Sequence, residues 1–128
     1  MSAHVPRVVI ADDDDDIRGL MVIAANRAGV EVVAAVDNGR AALEVLLAER
    51  VDLAVLDISM PALNGVEVAE AVRAQRPETL ILMVSASVQL LTDHGVVAER
   101  SDSFIIKPFS PRVLTERIRQ MLEIEVRA

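Results

Sequence analysis

The stretch VVIADDDDDIR, residues 8–18, decides the fold, because an apolar run leads directly into five consecutive aspartates. Two carboxylates about 4 Å apart repel each other by roughly 4 kcal/mol at an effective dielectric of 20. A buried strand that ends in this way requires a nearby group that offsets the repulsion between the carboxylates. The residues that follow the other apolar runs of the chain indicate which group this is.

Short apolar runs alternate with segments of helical period along the chain. Val8–Ala11, Leu53–Leu56 and Leu80–Val84 are continuously apolar, as expected for strands covered by helices on both faces. Five such βα units predict an α/β fold with a doubly wound, parallel five-stranded sheet. The other predicted strands are Glu31–Val36 and Ser103–Ile106, and the predicted helices are Ile17–Ala28, Arg40–Arg50, Gly65–Gln75, Val88–Glu99 and Pro111 to about Val126.

Two local patterns refine this prediction. In the first helix, Leu20, Met21 and Ile23-Ala24 are expected on one apolar side, and Gly29 is expected to stop the helix. The sequence Asp37-Asn38-Gly39 predicts a turn after the second strand.

Composition narrows the classes of function. The 128 residues predict a single domain, 1–128, with no output domain in this chain, and 52% hydrophobic residues are ample for a core. A net charge of −7 argues against a nucleic-acid-binding surface, and the absence of cysteine excludes thiolate metal sites. No apolar stretch approaches the ~20 residues of a membrane span, so we expect a cytoplasmic protein without membrane contact.

Of thirteen basic residues only Lys107 is a lysine, which calls for a local reason.

Chemically active side chains follow four of the five predicted strands. Ligands of doubly wound sheets bind at the carboxyl ends of the strands. Clustered carboxylates without nearby Cys or His suit a hard cation such as Mg²⁺. A carboxylate beside a metal and a lysine can act as a nucleophile on phosphorus. The residues at these strand ends are Asp12 and Asp13, Asp57, Ser85 and Lys107.

Each of these residues alone has an ordinary explanation. The aspartates could form a solvated helix start, Asp57 a turn, and Lys107 part of the surface. The agreement of four separate strand ends is far more specific than any one of them, and it favours phosphoryl-transfer chemistry.

With these motifs the sequence resembles the receiver domain of bacterial two-component response regulators, from about Arg7 to Leu122. The motifs that carry the resemblance are VVIADDDDDIR, LAVLDISMPALNG, LILMVSAS and FIIKPF, in the order and spacing of that family. The resemblance implies a flavodoxin-like receiver fold with strand order 2-1-3-4-5. It also implies Mg²⁺ as the cofactor.

The resemblance assigns the acidic residues. Asp57 would be the phosphoacceptor and would also contact the metal. Asp13 would ligate Mg²⁺ directly and Asp12 largely through water. The backbone carbonyl of Ser59 would complete the protein ligands.

The resemblance also assigns the switch. Lys107 would pair with the phosphoryl group and the acceptor carboxylate, and the Lys107-Pro108 bond would be cis. Ser85 would be the switch hydroxyl, and Phe104 the aromatic that changes rotamer with it. Phe104 stands where many members have tyrosine. Gly95 and Arg100 suggest an irregular fourth helix, because both residues are unfavourable at their positions.

The function implied is that of a phosphoacceptor receiver. It would take a phosphoryl group from a sensor histidine kinase or a phosphotransfer protein and switch the face of its fourth helix, fifth strand and fifth helix. That face would regulate a downstream protein, with a homodimer through the same face as a further option. The domain would catalyse only its own phosphorylation and dephosphorylation, so we do not class it as an enzyme.

Three alternatives remain. A degenerate receiver, acting as a phosphate-independent interaction module, would be favoured by loss of Lys107 or of the acidic pair, and neither is lost. A Mg²⁺-dependent phosphohydrolase would need a carboxylate acid/base where Ser59 stands. A flavin or nucleotide binder would need a glycine-rich loop in place of the aspartates.

Overall fold

The computed structural model describes residues 4–87 and 102–124, together with Gln89 and Thr92. The predicted fourth helix, Val88–Glu99, lies outside these residues except for those two positions. The expectations for Gly95 and Arg100 lie outside them as well. Within the described ranges, none of the helices combines the length and apolar content that a membrane span requires.

Five parallel strands form one sheet in the order β2-β1-β3-β4-β5. This confirms the predicted doubly wound α/β fold. The strands are β1 (Arg7–Ala11), β2 (Glu31–Val36), β3 (Leu53–Asp57), β4 (Leu80–Ser85) and β5 (Ser103–Ile106).

The register of the strands brings the predicted site residues to one edge. Ala11 pairs with Leu56 across β1 and β3, so that Asp12 and Asp57 follow at the same level. Ser85 pairs with Ile106 across β4 and β5, and Lys107 follows directly.

Helices α1 (Asp15–Ala28), α2 (Gly39–Ala48) and α3 (Gly65–Gln75) and a C-terminal helix (Pro111–Leu122) cover the sheet. Gly29 ends α1 in the left-handed conformation, as predicted. Of the turn predicted at residues 37–39, Asp37 and Asn38 form a bend, but Gly39 already belongs to α2. Asn38 caps α2 and Gly39 is its first residue.

The C-terminal helix ends earlier than the sequence suggests. Glu123 adopts the left-handed conformation with φ 56°, and its N–H donates to the carbonyls of Arg119 and Gln120. These bonds satisfy carbonyls of the last turn, and the helix therefore ends at Leu122 rather than near Val126, which lies outside the described residues.

Two apolar clusters cover the two faces of the sheet. Val9 and Leu56 pack toward Leu46 of α2 and Val72 of α3 on one face. The alternate strand residues pack on the other face against α1 and the C-terminal helix, with Met21, Leu114 and Ile118 fully buried. The alternation follows from the two-residue period of a strand.

The prediction that Leu20 and Ile23 share the buried side of α1 with Met21 is wrong. Leu20 is 39% exposed and Ile23 46% exposed. Helix α1 packs through Met21, Ala24, Ala25 and Ala28 instead. The buried residues follow the spacing i, i+3, i+4 and i+7 of one helix face, and Leu20 and Ile23 lie outside this spacing, on other sides of the helix.

Candidate functional site

Three carboxylates meet at the carboxyl edge of the sheet. Asp12 is fully buried, Asp57 is 4% exposed, and Asp13 is exposed. One carboxylate oxygen from each lies within 4.8 Å of those of the other two. Asp12 and Asp57 stand on adjacent strands, so the sheet itself fixes their proximity.

Lys107 extends from the end of β5 into this acidic group. Its Nζ lies 3.0 Å from Asp12 Oδ2 and 3.4 Å from Asp57 Oδ1. Its backbone N–H donates to the carbonyl of Ser85 at 2.7 Å, which ties the loop after β5 to the end of β4. The Lys107-Pro108 peptide bond is cis, as expected.

Burial and charge shift the ionisation of this group. Burial, together with the charges of Asp12 and Asp13, raises the pKa of Asp57 to about 6, although Lys107 opposes the shift. Burial alone would lower the pKa of Lys107, but the two nearby carboxylates outweigh it and raise the pKa above its ordinary value. Above pH 6 the site therefore contains an ionised Asp57 beside a charged ammonium.

The donor set fits a divalent magnesium ion. Asp12 Oδ2 is buried, and within the described residues it forms an ion pair with Lys107 Nζ but no hydrogen bond to an N–H or O–H group. The donors around it are carboxylate oxygens, the ligands that Mg²⁺ prefers. Asp12, Asp13 and Asp57 could therefore hold the ion between them, while the ligand role of the Ser59 carbonyl stays a prediction.

The loop after β1 is held by its own side chains and by Arg18. Asp12 Oδ1 accepts from the N–H of Asp14 at 2.9 Å, and Asp14 caps α1 by accepting from the N–H of Asp16 and Ile17. Arg18 donates to the backbone carbonyl of Asp12 at 3.0 Å and to Asp15 at 2.6 Å.

Sequence reasoning did not single out Arg18. Its spacing from Asp15, three residues along a helix, was an available signal for the ion pair. The contact with the carbonyl of Asp12 is a property of the folded loop.

The loop after β3, residues 58–64, lies between Asp57 at the end of the strand and Gly65 at the start of α3. A Cβ built on Gly65 would lie 2.4 Å from the backbone oxygen of Asp57, so only glycine fits at the start of α3. The Gly65 N–H donates to the carbonyl of Ile58 at 2.9 Å. Asn64 and Glu67 form a reciprocal capping box that fixes this helix start.

The predicted switch residues lie beside this group. Ser85 is buried, and its hydroxyl donates to the carbonyl of Ser87 at 3.0 Å and accepts from the Ser87 N–H at 3.2 Å. Phe104 pairs with Met83, two register positions from Ser85. Arg117 of the C-terminal helix donates to the carbonyl of Phe104 at 2.7 Å, a link that sequence reasoning did not anticipate.

The structure thus brings Asp12, Asp13, Asp57 and Lys107 into one group. It places Ser85 at the carboxyl end of β4 and Phe104 on the neighbouring β5, two register positions before Ser85. In this state the Ser85 hydroxyl is engaged with its own loop rather than with the carboxylates.

The model of the response regulator receiver domain family matches residues 8–119. The chain belongs to this family. Curated relatives of this receiver domain include the alkaline phosphatase synthesis transcriptional regulatory protein PhoP of Bacillus subtilis, 33% identical over 91% of this chain and 48% of PhoP. The transcriptional regulatory protein PrrA of Mycobacterium tuberculosis is 34% identical over 91% of this chain and 50% of PrrA. The chain spans about half the length of these relatives.

Solved receiver structures share its fold. A CheY-like receiver domain protein from Methanospirillum hungatei superimposes with a TM-score of 0.84 at 28% identity, over 94% of this chain and 95% of that one. The response regulator protein TrrA from Thermotoga maritima, in complex with Mg²⁺-BeF, gives a TM-score of 0.80 at 28% identity, over 91% of this chain and 99% of that one.

Proposed function

We propose that this receiver domain accepts a phosphoryl group on Asp57 in a reaction that depends on Mg²⁺. The observation that carries the proposal is the convergence of Lys107 on Asp57 and Asp12, at 3.4 and 3.0 Å, within a group of three carboxylates. The solved complex of the related TrrA with Mg²⁺-BeF supports the same chemistry for this chain.

Asp57 would act as the nucleophile. One of its carboxylate oxygens forms a bond to phosphorus while the bond from phosphorus to the donor breaks, and the donor keeps the electron pair of that bond. Such a reaction requires mainly positioning and charge neutralisation. The pKa of about 6 leaves Asp57 mostly ionised at neutral pH, which is the nucleophilic form.

Lys107 would hold the acceptor carboxylate and then pair with the phosphoryl oxygens. Its raised pKa keeps the ammonium charged through the reaction. Asp12, Asp13 and Asp57, with the carbonyl of Ser59, would hold Mg²⁺. A bound Mg²⁺ ion supplies positive charge that offsets the carboxylates and the incoming phosphoryl group.

The switch would run from the acceptor to Ser85 and Phe104. A phosphoryl group at Asp57 offers oxygens to which the Ser85 hydroxyl can donate in exchange for the Ser87 carbonyl. Phe104 is half-buried on the neighbouring strand and would change rotamer as Ser85 moves. We propose a sensor histidine kinase or phosphotransfer protein as the donor and a downstream protein as the target.

Intact-mass spectrometry after incubation with acetyl phosphate and Mg²⁺ tests this proposal. We expect one phosphoryl adduct on the wild-type chain and none when Mg²⁺ is removed with a chelator. Asp57→Asn should stay unmodified, while Asp16→Asn, which changes a neighbouring exposed aspartate outside the carboxylate group, should be modified like the wild type. A wild-type chain that stays unmodified, also with histidine kinases as donors, would favour the degenerate, phosphate-independent receiver instead.

A further inference from the structure

The start of α2 packs directly against the loop that follows the acceptor strand. The Gly39 N–H donates to the carbonyl of Pro61 at 3.3 Å, and the same carbonyl accepts from the Leu63 N–H at 2.9 Å. A Cβ built on Gly39 would lie 1.9 Å from the carbonyl oxygen of Leu63 and 2.6 Å from its carbonyl carbon. These are backbone atoms, so a change of rotamer cannot relieve the overlap.

The backbone of Gly39 does not itself need a glycine. Among the glycines of the described residues, only Gly29 has a positive φ. A helical glycine costs about 1 kcal/mol relative to alanine. The close approach of Leu63 is therefore the physical reason for glycine at the first position of α2.

The loop of residues 58–64 is held in a conformation that it would not favour alone. Ala62 has a φ of 70°, in the left-handed region, which costs a residue with a side chain roughly 1–2 kcal/mol. One end of the loop is fixed where Gly65 lies against Asp57, and its middle is fixed by Gly39. Ser59 lies in this loop, between the acceptor and the contact with Gly39.

We propose that Gly39 is a positioning residue for the metal site. By admitting the backbone of Leu63, it keeps the loop of residues 58–64 in the conformation in which the Ser59 carbonyl can serve as a ligand. This inference rests on the proposed function, because it assumes that the group of carboxylates binds Mg²⁺. The new element is that a contact made by α2, a helix that supplies none of the proposed ligands, sets the affinity of the site for Mg²⁺.

A titration of the full chain with Mg²⁺ alone, followed by backbone amide NMR, tests this role. Gly39→Ala should weaken Mg²⁺ binding by about 10-fold, as changes just outside a metal's ligand shell commonly do. The amide shifts of residues 58–64 should move before any metal is added.

Gly29→Ala is the matched control. It strains the backbone at a φ of 86° at the C-cap of α1, where a Cβ would meet nothing within 4 Å. It should destabilise the fold yet leave the affinity for Mg²⁺ at the wild-type value. Equal affinities for Gly39→Ala and the wild type would overturn the inference, and so would an equal loss in both glycine variants.

If Gly39→Ala does not fold, Asn38→Ala provides the test. Asn38 accepts from the Ala41 N–H at 2.9 Å, so its loss loosens the first turn of α2 without adding an atom near Leu63. We expect weaker Mg²⁺ binding than in the wild type, and an unchanged affinity would contradict the inference. A wild-type chain that binds no Mg²⁺ would overturn the proposed function itself, which is a different result from equal binding by the variants.

Discussion

Lys107 Nζ lies 3.0 Å from Asp12 Oδ2, a buried oxygen that makes no hydrogen bond within the described part of the chain. The same ammonium lies 3.4 Å from Asp57 Oδ1, so one cation serves two carboxylates that stand side by side on adjacent strands. The charge of the group is thereby offset only in part, and this imbalance underlies the first three predictions.

Replacing Lys107 with methionine should destabilise the metal-free protein. The change leaves the buried Asp12 and Asp57 without a cation beside them, and we expect a loss of about 2 kcal/mol, less than for a fully buried pair because Lys107 is partly exposed. Lys107→Arg retains the charge and should lose less. Urea denaturation in metal-free buffer measures both, and equal free energies of unfolding for the two variants and the wild type would refute this account of Lys107.

Asp57→Asn should stabilise the metal-free protein at neutral pH. The pKa of Asp57 rises from 3.8 to about 6 on folding, so the native state binds the extra proton between these values. Below pH 3.8 Asp57 is mostly protonated in both states and does not destabilise the fold. As the pH rises toward 6, Asp57 ionises in the unfolded chain first, and the free energy of unfolding falls. The total decrease above pH 6 is on the order of 3 kcal/mol.

The difference in free energy of unfolding between Asp57→Asn and the wild type isolates this penalty from the titration of other groups. It should be largest above pH 6 and vanish below pH 3.8. An Asp57→Asn variant that is less stable than the wild type above pH 6 without metal would show that the carboxylate is not penalised in the native state.

Among the five consecutive aspartates, Asp13 and Asp14 should respond differently to Mg²⁺. Asp13 contributes an oxygen to the carboxylate group, whereas Asp14 accepts from two N–H groups at the start of α1. Addition of Mg²⁺ should raise the melting temperature of the wild type, and Asp13→Ala should abolish that rise. Asp14→Ala should lower stability by about 1 kcal/mol through loss of the cap while retaining the response to Mg²⁺.

Thermal melting of the two variants with and without Mg²⁺ separates these roles. The division would be wrong if Asp14→Ala removed the Mg²⁺ response as completely as Asp13→Ala.

The same substitution at the glycine within α1 and at the glycine that caps its end should have opposite effects. Gly19 lies within the helix with nothing within 4 Å of a built Cβ, so Gly19→Ala should stabilise the chain by about 0.5–1 kcal/mol. Gly29 caps the helix at a φ of 86°, so Gly29→Ala should destabilise it by roughly 1 kcal/mol. Urea denaturation of both variants checks the signs, and a shared sign would contradict the helix bounds.

Much of the fold follows from local pattern. The bounds of α3, Gly65–Gln75, agree with the prediction from the sequence, because a glycine marks its start and a proline follows its end. The bounds of β2, Glu31–Val36, agree as well, because a run rich in β-branched residues marks the strand. The strand ends also placed Asp12, Asp57 and Lys107 together, since parallel strands share one carboxyl edge.

Other features depend on contacts between distant residues, and the sequence does not contain them in readable form. Gly39 stands in a sequence typical of a turn, and only the close approach of the Leu63 backbone in the folded chain explains why glycine is needed there. The raised pKa of Asp57 likewise depends on burial, which follows from the whole fold.

Borohydride trapping after phosphorylation by acetyl phosphate and Mg²⁺ tests the central claim most directly. An acyl phosphate on an aspartate is reduced to the alcohol, so peptide mass spectrometry identifies the residue that carried the phosphoryl group. The account predicts reduction at Asp57 alone, dependent on Mg²⁺. Reduction at Asp12 or Asp13, or no reduced aspartate in a chain that binds Mg²⁺, would contradict it.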